Sequence, residues 1–150
     1  MVRSRSPLLI VAVAVALTVC LAASVTPAGA SSSTGRAKMF HFVNRYRHEH
    51  GRRAVRDSGD VDRLAQHHSA AMATERKLFH SASLSTKLRS HDPTLWGENV
   101  GMGCSVWSVF RAWTQSAEHR QNMLRRGFHR AGVGLVRSHG VWWATMVFYG

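Results

Sequence analysis

Two histidines and one glutamate stand out by type and setting. His80 lies in Leu78-Phe79-His80-Ser81, and Glu98 in Gly97-Glu98-Asn99-Val100-Gly101. His119 lies in Ser116-Ala117-Glu118-His119-Arg120-Gln121-Asn122. Two imidazoles and a carboxylate are donors that can hold a divalent ion with an open position, as hydrolytic zinc sites do. No H-E-x-x-H pair preorganises them, so their spacing alone does not bring them together. Glu98 reads as a buried carboxylate in a glycine-bracketed turn. Burying an unpaired charge costs on the order of several kcal/mol or forces protonation. Protonated histidines, a metal ion or loop N–H groups would each satisfy it. His119 follows Ser116, a cap residue, and a helix N-terminus disfavours imidazolium. A nearby Glu98 or Glu118 pushes the other way, and a metal ligand needs the neutral ring. Other constellations are weaker. Ser81 and Ser116 have no nucleophile-elbow context. Gly101-x-Gly103 lacks the third glycine and the preceding strand of a phosphate cradle.

The elements that must position these residues follow from periodicity. Met39, Phe42, Val43 and Tyr46 fall on one helical face, and Gly51 is a stop. Residues 52–59 read as a loop. Asp60 is placed to cap a second helix with Val61, Leu64, Ala65, His68 and Met72 inward, ending near Lys77. Asp92-Pro93 marks a turn. Val106, Val109, Phe110 and Trp113 form a third amphipathic face. Ser116 caps a short fourth helix through Leu124. Residues 132–137 and 141–149 read as strands joined by Ser138-His139-Gly140. Trp142, Ala144, Met146 and Phe148 share one strand face, and Trp143, Thr145, Val147 and Tyr149 the other. Both faces are apolar, so the hairpin belongs between layers. Helices covering both faces of strands give an α+β, three-layer α-β-α sandwich.

Residues 1–30 read as a secretory signal peptide. Arg3 and Arg5 precede the apolar run 8–23, and Ala28-Gly29-Ala30 is a cleavage signature. Residues 31–37 read as a flexible tail, and residues 38–150 as one domain. The expected setting is therefore extracellular. The chain carries a formal net charge of +12, nearly all from arginines scattered along it. Anionic envelope polymers or lipids are the partners such charge attracts. No stacking platform or reading helix accompanies it, which argues against specific nucleic-acid binding. Of two cysteines, Cys20 lies in the leader, so Cys104 is expected alone, as a buried and inert thiol. A monomer is expected.

The ordered set Asn44-x-x-Arg47-x-x-x-Gly51, Ala71-Met72-Ala73, His80-Ser81, Gly97-Glu98-Asn99-Val100-Gly101, Ala112-Trp113, Ser116-x-x-His119-Arg120-x-Asn122-x-Leu124 and Gly132-Val133-Gly134 resembles the CAP domain. That superfamily includes cysteine-rich secretory proteins, antigen 5 and plant pathogenesis-related proteins of group one. The Ser-x-x-His-Arg-x-Asn version is similar to a compact bacterial branch. The resemblance spans Met39 to Phe148 and implies the same α-β-α sandwich. It implies a cleft of His80, Glu98 and His119, with Ser116 where larger members carry a second glutamate. It implies those three as ligands of a weakly bound divalent metal such as Zn²⁺. Family members are linked to lipid or sterol binding, to cell-wall association and occasionally to proteolysis. The leading expectation is an extracellular binding module for a small apolar, lipid- or sterol-like ligand or for the cell envelope. The alternatives are a metal-assisted hydrolase using His80, Glu98 and His119, and a structural envelope protein with a vestigial cleft.

Overall fold

Periodic apolar faces become helices on both sides of one sheet. The computed structural model describes residues 28–150, with side chains from Ser33 onward. Most of the expected signal peptide, residues 1–27, lies outside the described residues. The elements are α1 (Ala28–Glu49), β1 (Arg56–Asp57), α2 (Gly59–Glu75), α3 (Leu84–Lys87), a 3-10 turn (Arg89–His91), β2 (Trp96–Gly103), α4 (Val106–Gln115), α5 (Ala117–Leu124), β3 (Arg130–Ser138) and β4 (Val141–Tyr149). The four-stranded sheet has the order β1-β3-β4-β2. β1 runs parallel to β3, and the other pairs are antiparallel. No described helix is long and apolar enough to cross a membrane.

The hairpin β3–β4 divides the core. Ala144, Met146 and Phe148 pack with Met39 and Val43 of α1, with Val109, Phe110 and Trp113 of α4, and with Met123 of α5. Val147 and Tyr149 pack with Val61 and Ala65 of α2, and Trp143 with Met72. That alternation is the strand period of two made visible, and it makes the fold a three-layer α-β-α sandwich. His139 and Gly140 turn the hairpin with φ of 50° and 77°, the left-handed pair that a two-residue loop requires.

Several expectations need correction. The segment 31–37 is helical, as part of α1. Gly35 is buried against Leu135 and Trp142, and Arg36 pairs with Asp62 at 3.3 Å. A run of small polar residues has no apolar period, so this close approach leaves no signal. Asp60 is not the cap of α2; Ser58 holds that position, while Asp60 lies in the first turn and pairs with Arg63. Cys104 is exposed, not buried. It sits in the turn between β2 and α4, and the chain's other cysteine, Cys20, lies outside the described residues.

Glu98 is in a strand, not a turn. β2 pairs along its whole length with β4, from Trp96↔Tyr149 to Gly103↔Trp142. Its glycines are there because helices lie on it. A Cβ at Gly101 would stand 2.8 Å from Trp113 Nε1, and one at Gly97 2.8 Å from Asn122 Oδ1. On β3 the approach is closer still: a Cβ at Gly134 would run into the backbone of Ala65 in α2.

Candidate functional site

The site lies at the outer edge of β2, the last strand of the sheet. Cross-strand partners share a face, so Glu98, opposite Val147, points to the α2 side. Asn99 points to the other side, toward α5. The residues expected to form a cleft therefore come from elements on both faces of this edge strand.

His80 and Glu98 touch directly. His80 Nδ1 lies 2.8 Å from Glu98 Oε1, and the Ser81 backbone N–H donates to the same oxygen at 2.8 Å. A carboxylate only accepts, so Nδ1 carries the proton and Nε2 is the nitrogen left for a ligand. The glutamate side chain is 5% exposed and the histidine side chain 63% exposed. Glu98 is thus a buried orienting group, and His80 is what solvent meets. Oε2 of Glu98 and Oγ of Ser81 are both buried without a hydrogen-bond partner. Buried polar atoms in that condition mark a place that a donor stabilises.

The approach of His80 is set from α2. His68, on the inward face of that helix, holds the Phe79 carbonyl through Nε2 at 2.7 Å. Its ring meets the Phe79 ring edge-on at 5.0 Å. A carbonyl only accepts, so His68 Nε2 carries its proton. The residue before His80 is clamped while His80 itself stays exposed.

His119 comes from the first turn of α5. Asn99 Nδ2 donates to its carbonyl at 3.0 Å, and Asn122 Nδ2 bridges Asn99 Oδ1 and the Glu98 carbonyl at 3.0 and 3.2 Å. This amide pair pins α5 to β2. Trp113 Nε1 adds a bond of 2.9 Å to the Val100 carbonyl. Burial pulls the His119 imidazole below its ordinary pKa, the charge of His80 lowers it further, and Glu118 opposes both. The ring is therefore held neutral near pH 7. No hydrogen bond joins His119 to Glu98 or to His80.

Ser116 takes the position before α5, as expected, but its hydroxyl makes no capping bond. It serves as the corner between α4 and α5 and does not touch the His80–Glu98 pair. Among the described residues no group of three His, Cys, Asp or Glu is gathered tightly enough to hold a metal ion. The residues that sequence reasoning missed are His68, Asn99 and Asn122. Asn122 was visible as the end of Ser116-x-x-His119-Arg120-x-Asn122, and its role is to join the two halves of the site.

The sequence profile of the cysteine-rich secretory protein family, CAP, matches residues 40–148. The chain belongs to the CAP family. It is a secreted CAP-domain protein with a cleft region at His80 and Glu98. No functionally curated protein matches it significantly by sequence. An extracellular SCP-domain protein of Bacillus anthracis superposes with a TM-score of 0.74 at 22% identity, over 85% of this chain and 45% of that one. The chain thus spans less than half the length of that relative. An outer surface protein of Borrelia burgdorferi matches with a TM-score of 0.70 at 12% identity, over 77% and 92% of the two chains. The venom allergen-like protein 4 of Schistosoma mansoni matches at 0.62 and 10% identity, over 77% and 87%. At these identities the likeness shows the fold, and it is not confined to bacteria.

Proposed function

We propose that this CAP domain is an extracellular binding module whose polar subsite is the β2 edge at His80, Glu98 and His119. The carrying observation is the buried carboxylate with one oxygen committed to His80 and Ser81 and the other unpartnered. That oxygen is itself buried, so the group a ligand would meet is the exposed His80 ring, held by the carboxylate behind it. No described serine or cysteine is hydrogen-bonded to a base in this cleft, so the arrangement supports recognition better than nucleophilic chemistry. A lipid- or sterol-like body is supported by the ring cluster between α1 and α4. Phe42, Trp107 and Phe110 pack with centroids 5.1 to 5.5 Å apart, and Trp107 remains 52% exposed.

A divalent cation is the second occupant to consider, because the donor types suit one. His80 Nε2 and the neutral His119 ring would be its ligands, with Glu98 orienting His80, as carboxylates do for metal-bound histidines. Three converging donors are not assembled here, so binding would be weak. A metal so held would polarise a carbonyl and acidify bound water; that chemistry is what the hydrolase alternative needs.

The test is a pair of assays on the secreted protein. One measures binding of a fluorescent fatty acid and a fluorescent sterol, and the other measures hydrolysis of labelled casein with and without Zn²⁺. We expect binding of at least one probe, weakened by Glu98→Gln or Trp107→Ala, and no hydrolysis. Zn²⁺-dependent hydrolysis that disappears in His80→Ala would overturn the binding reading in favour of the hydrolase.

A further inference from the structure

The arginines that look scattered in the sequence converge at one end of the fold. The buried Arg47 guanidinium gathers them. It donates to the carbonyls of Arg53 at 2.8 Å, Met123 at 2.6 Å, Arg125 at 3.3 Å and Phe128 at 3.0 Å. Arg52 Nε adds a bond of 2.8 Å to the Leu124 carbonyl. The loop after α1 and the loop after α5 are thereby held side by side. Arg56 and Arg130 then stand as register partners across the parallel pair β1–β3, roughly 4.8 Å apart. Like charges in adjacent register destabilise a sheet.

Nothing described neutralises this end. Arg52, Arg53, Arg56, Arg125, Arg126 and Arg130 take part in none of the described ion pairs. Of the nearby acids, Glu49 is engaged by Arg45, and Asp57 takes part in none of the described ion pairs. Carbonyls and a ring position the arginines instead: Arg52 on Leu124, Arg130 on the Asp57 carbonyl at 3.4 Å, and Arg125 over the Phe128 ring at 5.6 Å. Those interactions orient a guanidinium and leave its charge unneutralised. A partly preorganised arginine surface of this kind fits repeated oxyanions, which the guanidinium fork can bind in bidentate fashion.

We propose that this arginine end binds a linear extracellular polyanion of the polyol-phosphate or sugar-phosphate kind, through successive phosphates. The rings nearest the arginines are poor platforms for a base, because Tyr46 and His50 already pack on each other at 4.2 Å. Phe128 is 1% exposed. Trp96, the exposed ring at this end of the sheet, stands two strands from Arg130. That is about 10 Å, which argues against single-stranded nucleic acid. The surface also lies at the opposite end of α5 from His119, so it is separate from the cleft.

The experiment titrates the secreted protein with long-chain inorganic polyphosphate over a series of NaCl concentrations. We expect the triple variant Arg53→Gln, Arg56→Gln, Arg126→Gln to bind at least tenfold more weakly. Its slope of log affinity against log salt should be shallower by about two, at roughly 0.7 for each phosphate that is no longer neutralised. The control Lys77→Gln, Arg111→Gln, Arg137→Gln removes equal charge elsewhere and should change affinity less than threefold. Glu98→Gln should leave polyphosphate binding intact, which separates this surface from the cleft. Equal weakening in both triple variants would overturn the proposal, because the charge would then act diffusely. Tighter binding of oligo-dT or phosphatidylserine vesicles than of polyphosphate, abolished in Trp96→Ala, would also overturn it and name a different occupant.

Discussion

The two outer edges of the hairpin's sheet are finished in opposite ways. At the β3 edge, beyond the short β1, side chains of α2 complete the backbone bonding. Asp62 Oδ1 accepts from Val133 N at 2.7 Å, Gln66 bonds both N–H and carbonyl of Leu135, and Ser69 reaches the Gly134 carbonyl at 3.1 Å. Positions 62, 66 and 69 are one helical stripe, and they act as a substitute strand. At the β2 edge, Asn122 and Trp113 cap two carbonyls in a similar way. There, however, the glutamate keeps an unpartnered oxygen and His80 stays in solvent. One edge is closed for stability. The other is closed only as far as is needed to hold a site open, and function concentrates where polar satisfaction stops.

The largest effect should come from the closed edge. Asp62→Ala leaves the buried Val133 N–H without its acceptor and should lower stability by about 1–3 kcal/mol, read from urea unfolding. Asn122→Ala should rank next, at about 1–2 kcal/mol, because it removes two bonds that are only part-buried. It should also shift the NMR resonances of both Glu98 and His119. If Asn122→Ala proved costlier than Asp62→Ala, the contrast between the edges would be reversed. Glu98→Gln should come third, changing stability by less than about 1 kcal/mol, since it removes a buried charge along with a bond. It should free the His80 ring, seen as a mixture of Nδ1–H and Nε2–H tautomers in ¹⁵N spectra. Retention of the single Nδ1–H tautomer would mean that Glu98 does not orient His80.

The smallest effect is in pH dependence, and its sign differs between the edges. His119 has its folded pKa below the unfolded value, about 6.5. The unfolded chain binds the proton better, so this contribution is present above that pH and declines as pH falls through the folded value. Asp62 is shifted the other way, raised by burial against the opposing Val133 N–H, with Asp57 raising it and Arg36 lowering it. Its contribution is fully present below the unfolded value, about 3.9, and declines as pH rises through the folded one. Acidification from neutral should first destabilise the protein through His119, then recover part of that stability through Asp62. His119→Gln should flatten the first phase in melting curves, and Asp62→Asn the second.

How much of this was legible depended on whether a residue's role was local. The hairpin and α4 were readable because alternation and the 3.6-residue period are carried by the residues themselves. β2 was not, because Gly97, Gly101 and Gly103 carry no strand preference; they are glycine on account of helices packed from elsewhere in the chain. The same holds for the stripe Asp62, Gln66 and Ser69, whose partners lie on β3. Arg47 in Asn44-x-x-Arg47 gave no sign that it would bind four carbonyls from distant loops. In the site, the residue types of His80, Glu98 and His119 were visible, and the family resemblance suggested that they converge. Their division of labour was not. Whether a carboxylate ligates or orients depends on which oxygen is already taken, and that is a property of the assembled edge.

The proposed function depends on the β2 edge being the place where a ligand is met. The most direct measurement is a Zn²⁺ titration of the secreted protein at pH 7.5, followed by ¹⁵N histidine spectra. Of the ten histidines, His80 and His119 should respond first, His80 through Nε2 with Nδ1 unchanged. Both responses should fade at pH 5.5, where protons compete for the imidazoles. If the first responses come instead from the exposed His48, His50 or His129, with His80 and His119 silent, the β2 edge is not the cation-accepting site proposed for this CAP domain.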